Sequence, residues 1–156
     1  MAKVYLGLGT NLGDKKANLD EAVKLIQDKI GEVTSLSSFY ATEPWGFHSP
    51  NSFLNAAACV ETSLSPQEVL AVTQQIEREL GRLKKSHNAV YSDRMIDIDL
   101  LLYDDVVLDT PELILPHPLM TKRSFVMDPL VEIAPDIIHP ILHKPSLELK
   151  PEVMEQ

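Results

Sequence analysis

Cysteine is almost missing from this chain: Cys59 is the only one in 156 residues. No intrachain disulfide can form, which fits a reducing compartment. Cys59 itself lies in an apolar strand and reads as core rather than as a catalytic thiol. Basic residues are also scarce, 14 against 23 acidic ones, for a net charge of -9. That field repels phosphate backbones and acidic membrane surfaces, so neither nucleic acid nor membrane is an expected partner. Long apolar runs are absent. Nothing approaches the ~18 residues of a membrane span, and the Val4-Tyr5-Leu6 stretch is too short for a secretion signal, so the cytoplasm is the expected location. The turn Gly9-Thr10-Asn11-Leu12-Gly13-Asp14 lacks a following Gly-Lys-Ser/Thr, which removes the P-loop, and it does not match a dinucleotide fingerprint. His48, His87, His139 and His143 share no ligand spacing, which argues against zinc.

What remains is an ordinary globular composition, 44% hydrophobic and 24% charged, at a length suited to one domain. Lys3 to Gly9 reads as a buried strand and Val33 to Thr42 as a second. Phe53 to Thr62 and Met95 to Tyr103 read as two more. Between the first pair, Leu19, Ala22, Val23, Ile26 and Ile30 recur at helical spacing up to a stop at Gly31. A second helix opens on Ser65-Pro66-Gln67-Glu68, a capping box with proline at the first helical position, and ends at Gly81. The rest is proline-rich, with a short helix expected at Asp128 to Ala134 and a loosely held tail from about residue 145 to 156. Strand, helix, two strands, helix, strand is the split βαβ order of a ferredoxin-like βαββαβ sandwich. The predicted class is α+β: an antiparallel sheet with helices on one face, plus a C-terminal extension, forming a single domain over 1–156.

The sharpest chemical signal is Arg94-Met95-Ile96-Asp97-Ile98-Asp99-Leu100-Leu101. Side chains alternate along a strand, so Asp97 and Asp99 share a face opposite Ile96, Ile98 and Leu100. Carboxylates about 6.5–7 Å apart along a strand repel unless a positive charge lies between them. Aspartate is also disfavoured in strands. A hard divalent cation with oxygen ligands accounts for both; the wet face of an edge strand is the alternative. Arg78, Arg82, Lys84, Lys85 and Arg94 cluster nearby and suit a polyphosphate, or else an ordinary solvated loop. His117, held between Pro116 and Pro118 with Lys122 and Arg123 following, either donates to a phosphate oxygen or makes a structural hydrogen bond. Trp45, Phe47 and Phe53, followed by Asn55, would suit a flat hydrogen-bonding heterocycle, or packing under a loop.

Taken in order, these segments resemble the 6-hydroxymethyl-7,8-dihydropterin pyrophosphokinases of the folate pathway. The resemblance runs from about Val4 to Pro135. It is carried by Gly9-Thr10-Asn11-Leu12-Gly13-Asp14, Thr42-Glu43-Pro44, Phe53-Leu54-Asn55-Ala56-Ala57, Glu77 with Gly81-Arg82, Asp93-Arg94 with Ile96-Asp97-Ile98-Asp99-Leu100, and Pro116-His117-Pro118 with Arg123 and Phe125. It implies transfer of pyrophosphate from ATP to the pterin hydroxymethyl group, with release of AMP. It implies two magnesium ions on Asp97 and Asp99, and Arg82 and Arg94 beside the transferred group. Leu70, Gln74, Glu77, Lys84, Ile98, His117 and Arg123 fall on the implied nucleotide side. Thr42, Pro44, Trp45, Phe53, Asn55 and Phe125 fall around the implied pterin. The stretch from Leu83 to Asp93 departs from the family's usual Arg-Trp-Gly-Pro-Arg run. Tyr91 stands in for the tryptophan and Lys84 for an arginine.

The implied chemistry is in-line attack of the hydroxymethyl oxygen on the β-phosphorus. No protein base stands out, so metal-assisted ionisation of the hydroxyl is expected, in a monomer. Two other readings compete: a non-catalytic ferredoxin-like module that binds nucleotide or pterin, and a pterin aldolase. The intact Asp97/Asp99 pair speaks against the first. The basic cluster, useless to an aldolase, speaks against the second.

Overall fold

The computed structural model describes residues 1–42, 52–83 and 95–151, with the backbone alone for Thr42, Arg82 and Leu83. The first strand, β1, spans Ala2–Thr10 and feeds helix α1, Lys15–Lys29. Strands β2 (Glu32–Leu36), β3 (Tyr40–Thr42) and β4 (Phe53–Thr62) follow, then helix α2, Pro66–Leu83. Strand β5 runs Asp97–Tyr103. The main sheet has the order β2-β4-β1-β5, with β3 on the end of β4, and its pairings are antiparallel. This is the ferredoxin-like arrangement.

Local chemistry explains the helix starts. The Asp14 side chain accepts from the Ala17 amide at 3.1 Å, satisfying one of the orphan donors of α1. At α2 the capping box closes in both directions: Ser65 N–H donates to Glu68 Oε1 at 2.8 Å, and Glu68 N–H to Ser65 Oγ at 3.2 Å. Leu19, Ala22 and Ile26 of α1, and Val69, Ile76 and Leu80 of α2, pack on Val4, Leu6, Leu8, Ala56, Ala58, Val60, Ile98 and Leu100. Every second residue of the central strands therefore enters one core.

The opposite face of the sheet carries a second apolar cluster, and here the structure adds to the expectation of helices on one face. Tyr5, Ala57, Cys59, Leu101 and Leu102 are covered by Met120 and by helix α3, Ser124–Ile133, through Val126, Met127 and Leu130. The C-terminal extension thus supplies a helix to the other side. It starts four residues before the predicted Asp128, with Pro129 inside it. Proline there removes one backbone bond. Burial of Val126, Met127 and Leu130, about 1.5–3 kcal/mol for each large side chain, outweighs that loss.

The predicted strand from Val33 to Thr42 is broken between Leu36 and Tyr40. Ser37 is the cause: its N–H donates to Ala57 O at 2.9 Å, while its Oγ accepts from Ala57 N–H at 2.9 Å. A side chain occupies the ladder position that a backbone carbonyl would fill. Two short strands, β6 (Leu108–Asp109) and β7 (Ile114–Leu115), form a hairpin that the sequence reading lacked. Where a loosely held tail was expected, the chain is docked as far as Lys150. Helix α4, Ser146–Leu149, has its Ser146 hydroxyl donating to Ala134 O, and Lys150 reaches Asp128 at 3.2 Å. Among the described residues, no helix is long and apolar enough to cross a membrane.

Candidate active site

Alternation along β5 is as predicted: Ile96, Ile98 and Leu100 are buried on the helix side, and Asp97 and Asp99 stand on the other face. The strand register adds what the aspartates face. Asp97 is opposite Gly9 and Asp99 opposite Gly7 on β1. Gly9 is in turn opposite Asn55 on β4, and Asn55 opposite Tyr40 on β3. One row across the sheet therefore reads Tyr40, Asn55, Gly9, Asp97. Asn55 and Asp97 are two strand spacings apart, about 10 Å, with a residue lacking a side chain between them. Sequence reasoning missed this bare floor. Its signal was present in Leu6-Gly7-Leu8-Gly9, two glycines on one face of a strand.

Space at Gly9 is limited for a specific reason. A Cβ there would lie 2.9 Å from Asn55 Oδ1 and 3.7 Å from Phe53 Cδ1. The glycine thus lets the buried Asn55 amide lean over β1. The residue before Phe53 is tied to α1 by Lys15, whose Nζ donates to Ser52 O at 2.9 Å and to Ser52 Oγ at 3.3 Å.

Strand β5 is the sheet's edge, and Glu77 of α2 covers part of it by accepting from Ile98 N–H at 2.8 Å. Burial pushes the Glu77 carboxyl up to about 7, and the nearby Asp97 and Asp99 push the same way against the Ile98 bond. Three acidic groups thus crowd one corner. The Ile98 side chain is in the core, so this residue can meet a ligand only through its backbone. Farther along α2, Leu70 packs partly against the helix-side core and Gln74 is exposed.

His117 is delivered to the same corner by the β6–β7 hairpin, just after a cis Leu115–Pro116 peptide. Its N–H donates to Leu101 O at 3.0 Å. Its Nδ1 accepts from Leu119 N–H at 3.2 Å, which leaves the proton of the neutral ring on Nε2. That nitrogen lies 4.0 Å from Asp99 Oδ1. Burial lowers the His117 pKa, and the Arg123 guanidinium lowers it further. The ring is therefore neutral near pH 7, and the contact with Asp99 is not an ion pair. Arg123 precedes α3 and lies over the Phe125 ring at 5.6 Å.

The structure thus gathers Asp97, Asp99, His117 and Arg123 at one end of the sheet, on the face where Phe53 and Asn55 also stand, with Glu77 of α2 reaching the same corner over the edge of β5. Pro44, Trp45, Lys84 and Arg94 lie outside the described residues, as do the side chains of Thr42 and Arg82.

Known proteins bear on this arrangement. Residues 5–135 match the family model described as 7,8-dihydro-6-hydroxymethylpterin-pyrophosphokinase (HPPK). A 2-amino-4-hydroxy-6-hydroxymethyldihydropteridine pyrophosphokinase from Porphyromonas gingivalis is 51% identical over 148 residues, 94% of this chain and 100% of that one. A protein of the same description from Aquifex aeolicus is 43% identical, covering 97% and 92%. Among solved structures, a Plasmodium falciparum HPPK-DHPS with pterin and p-hydroxybenzoate superposes with a TM-score of 0.73 at 16% identity, over 95% of this chain. This chain spans only 42% of that one, and the likeness establishes the shared fold. By the extent of the family match and the identity to full-length relatives, the chain belongs to the 7,8-dihydro-6-hydroxymethylpterin-pyrophosphokinase family.

Proposed function

We propose that this chain transfers pyrophosphate from ATP to the hydroxymethyl group of 6-hydroxymethyl-7,8-dihydropterin, releasing AMP, as a step of tetrahydrofolate biosynthesis. The observation that carries the reading is the row Asn55, Gly9, Asp97. It sets a hydrogen-bonding amide for a heterocycle about 10 Å from an acidic pair suited to a phosphate-bound cation.

In this reading Asn55 reads the pterin edge, while Phe53, Phe125, Trp45, Thr42 and Pro44 enclose the ring. Leu70, Gln74, Glu77, Lys84 and Ile98 line the nucleotide side. His117 donates its Nε2–H to a phosphate oxygen, which a neutral ring fixed by the Leu119 amide at Nδ1 can do without losing a proton. Arg82, Arg94 and Arg123 stabilise charge on the transferred group and the leaving phosphate. The acceptor oxygen bonds to the β-phosphorus as the bond to the α-phosphate oxygen breaks. The electron pair leaves with AMP, and the hydroxyl proton is lost to solvent. Positioning and electrostatics supply the rate, since such transition states need little covalent help.

Magnesium, read here as two ions, fits Asp97 and Asp99. The donors are hard oxygens, and the crowding of Glu77, Asp97 and Asp99 is relieved by positive charge. Among the described residues no three His, Cys, Asp or Glu side chains form a metal cage, so water and triphosphate would complete the coordination. The ions when bound neutralise phosphate charge and orient the reacting groups. The same reading takes the chain as one domain that works as a cytoplasmic monomer.

The direct test is incubation with ATP, magnesium and 6-hydroxymethyl-7,8-dihydropterin. AMP and the pterin diphosphate are expected in equal amounts. ADP in place of AMP, or no nucleotide product with a competent acceptor, would overturn the assignment. Gly9→Ala tests the pterin side. The new Cβ would displace the Asn55 amide, the far end of a side chain and not backbone, so the fold is kept. The KM for pterin is expected to rise about tenfold, or ~1.4 kcal/mol, with that for ATP within about twofold. Equal pterin KM in mutant and parent would remove Asn55 from recognition.

A further inference from the structure

Far from the aspartates, a single carboxylate ties α3 to the strands that carry the acceptor side of the site. Glu132, in the last turn of α3, accepts from Ser38 N–H at 3.0 and 3.1 Å, from Ser38 Oγ–H at 3.1 Å and from Tyr40 O–H at 2.6 Å. Its partners stand at informative positions. Tyr40 is in register with Asn55, and two residues on Thr42 is in register with Phe53. At its other end α3 begins just after Arg123 and carries Phe125 in its first turn.

The core beneath α3 does not by itself define where Phe125 falls. Met127 and Leu130 are fully buried and hold the helix down, but apolar contact is non-directional and permits small tilts. Directed hydrogen bonds at one end remove that freedom. Phe125 lies seven residues from Glu132, about 10 Å along a helix axis, so a tilt of about 5° there moves it by about 1 Å. An error of that size is costly to a site that must hold a ring between two walls. Glu132 and Ser38 are exposed, so the network adds little to the buried core and its value lies in direction. The hydrogen bonds from Tyr40 and Ser38 also hold the Glu132 carboxyl below its ordinary range.

We propose that Glu132 is a positioning residue for the acceptor: clamped to Ser38 and Tyr40, it sets the gap between Phe125 on α3 and the Phe53–Asn55 wall on β4. This rests on the reading of Phe53, Asn55 and Phe125 as the pterin site. It deepens that reading by assigning a role to a residue that touches no substrate.

The experiment is steady-state kinetics of Glu132→Ala, Tyr40→Phe, the double variant and Asn55→Ala, with thermal melts, in magnesium, ATP and 6-hydroxymethyl-7,8-dihydropterin. Glu132→Ala is expected to raise the pterin KM about 5–10-fold, with kcat and the ATP KM within about twofold and the melting temperature nearly unchanged. Tyr40→Phe is expected to give about 2–3-fold alone and nothing further in the Glu132→Ala background, because each acts through the other. A pterin KM equal to the parent's in Glu132→Ala, or a parallel rise in both KM values that follows a lowered melting temperature, would overturn the proposal. Asn55→Ala separates the two layers. If it raises the pterin KM and Glu132→Ala does not, the clamp alone is wrong. If Asn55→Ala changes nothing, the pterin-site reading beneath it fails.

Discussion

Asp97→Ala is expected to lower kcat for pyrophosphoryl transfer at least about 1000-fold, some 4 kcal/mol of barrier, while leaving the apo fold at least as stable as the parent. The activity loss follows from the proposed division of labour. In that reading His117, held neutral by burial and by Arg123, brings no full charge to the triphosphate. Divalent charge held by Asp97 and Asp99 would act beside Arg82, Arg94 and Arg123 as the counterweight to phosphate charge, and an arginine cannot also ligate and orient the reacting oxygens as a bound ion does. Asp97→Asn, which keeps the shape and removes the charge, should lose nearly as much. A variant retaining more than a tenth of parental kcat at saturating magnesium would refute the metal role of Asp97.

Stability should move the other way, and this separates a functional loss from a folding one. Glu77 is raised to about 7 because folding buries it beside Asp97 and Asp99. A carboxyl whose folded pKa lies above its unfolded value makes the fold less stable as pH rises from the unfolded value to the folded one. Removing the Asp97 charge relieves part of that penalty. The apo variant should therefore melt at or above the parental temperature at pH 8, where the penalty is complete, and more nearly equal to it at pH 4. A melting temperature clearly below the parent's at pH 8 would mean that Asp97 supports the fold itself.

How much of this could be read from residues alone depends on the range of the signal. Alternation placed Asp97 and Asp99 opposite Ile96, Ile98 and Leu100, and the capping box at Ser65 and Glu68 formed as written, because both are local rules. The break at Ser37 was hidden, since it depends on Ala57 lying across the ladder. The early start of α3 was hidden as well. Pro129 carries a strong local message, and the apolar face that overrides it exists only once β4 and β5 are assembled. The candidate site divides in the same way. Its acidic pair is visible within three residues, whereas the row linking Asp97 to Asn55 and the bond from Glu132 to Tyr40 arise from register and docking.

The two glycines read as helix stops, Gly31 and Gly81, should respond oppositely to alanine. Gly31 follows α1 as predicted, but with no positive φ. A Cβ on it would lie 2.0 Å from the Glu61 carbonyl oxygen and 2.9 Å from its carbon. Glu61 cannot move aside, because it is paired with Lys3 on one flank and Glu32 on the other. Gly31→Ala is therefore expected to cost about 3–5 kcal/mol, lowering the melting temperature by roughly 6–20 °C for a chain of this size. Gly81 does not end α2, which continues to Leu83, and a Cβ there meets no described atom within 4 Å. Alanine would gain helix propensity at no steric cost, stabilising by about 0.5–1 kcal/mol. A melt of each variant at neutral pH decides the matter. Should Gly31→Ala melt within about 2 °C of the parent, the close approach of α1 to β4 is not what requires glycine there. If Gly81→Ala falls as well, the open space beside Gly81 is not what governs its substitution.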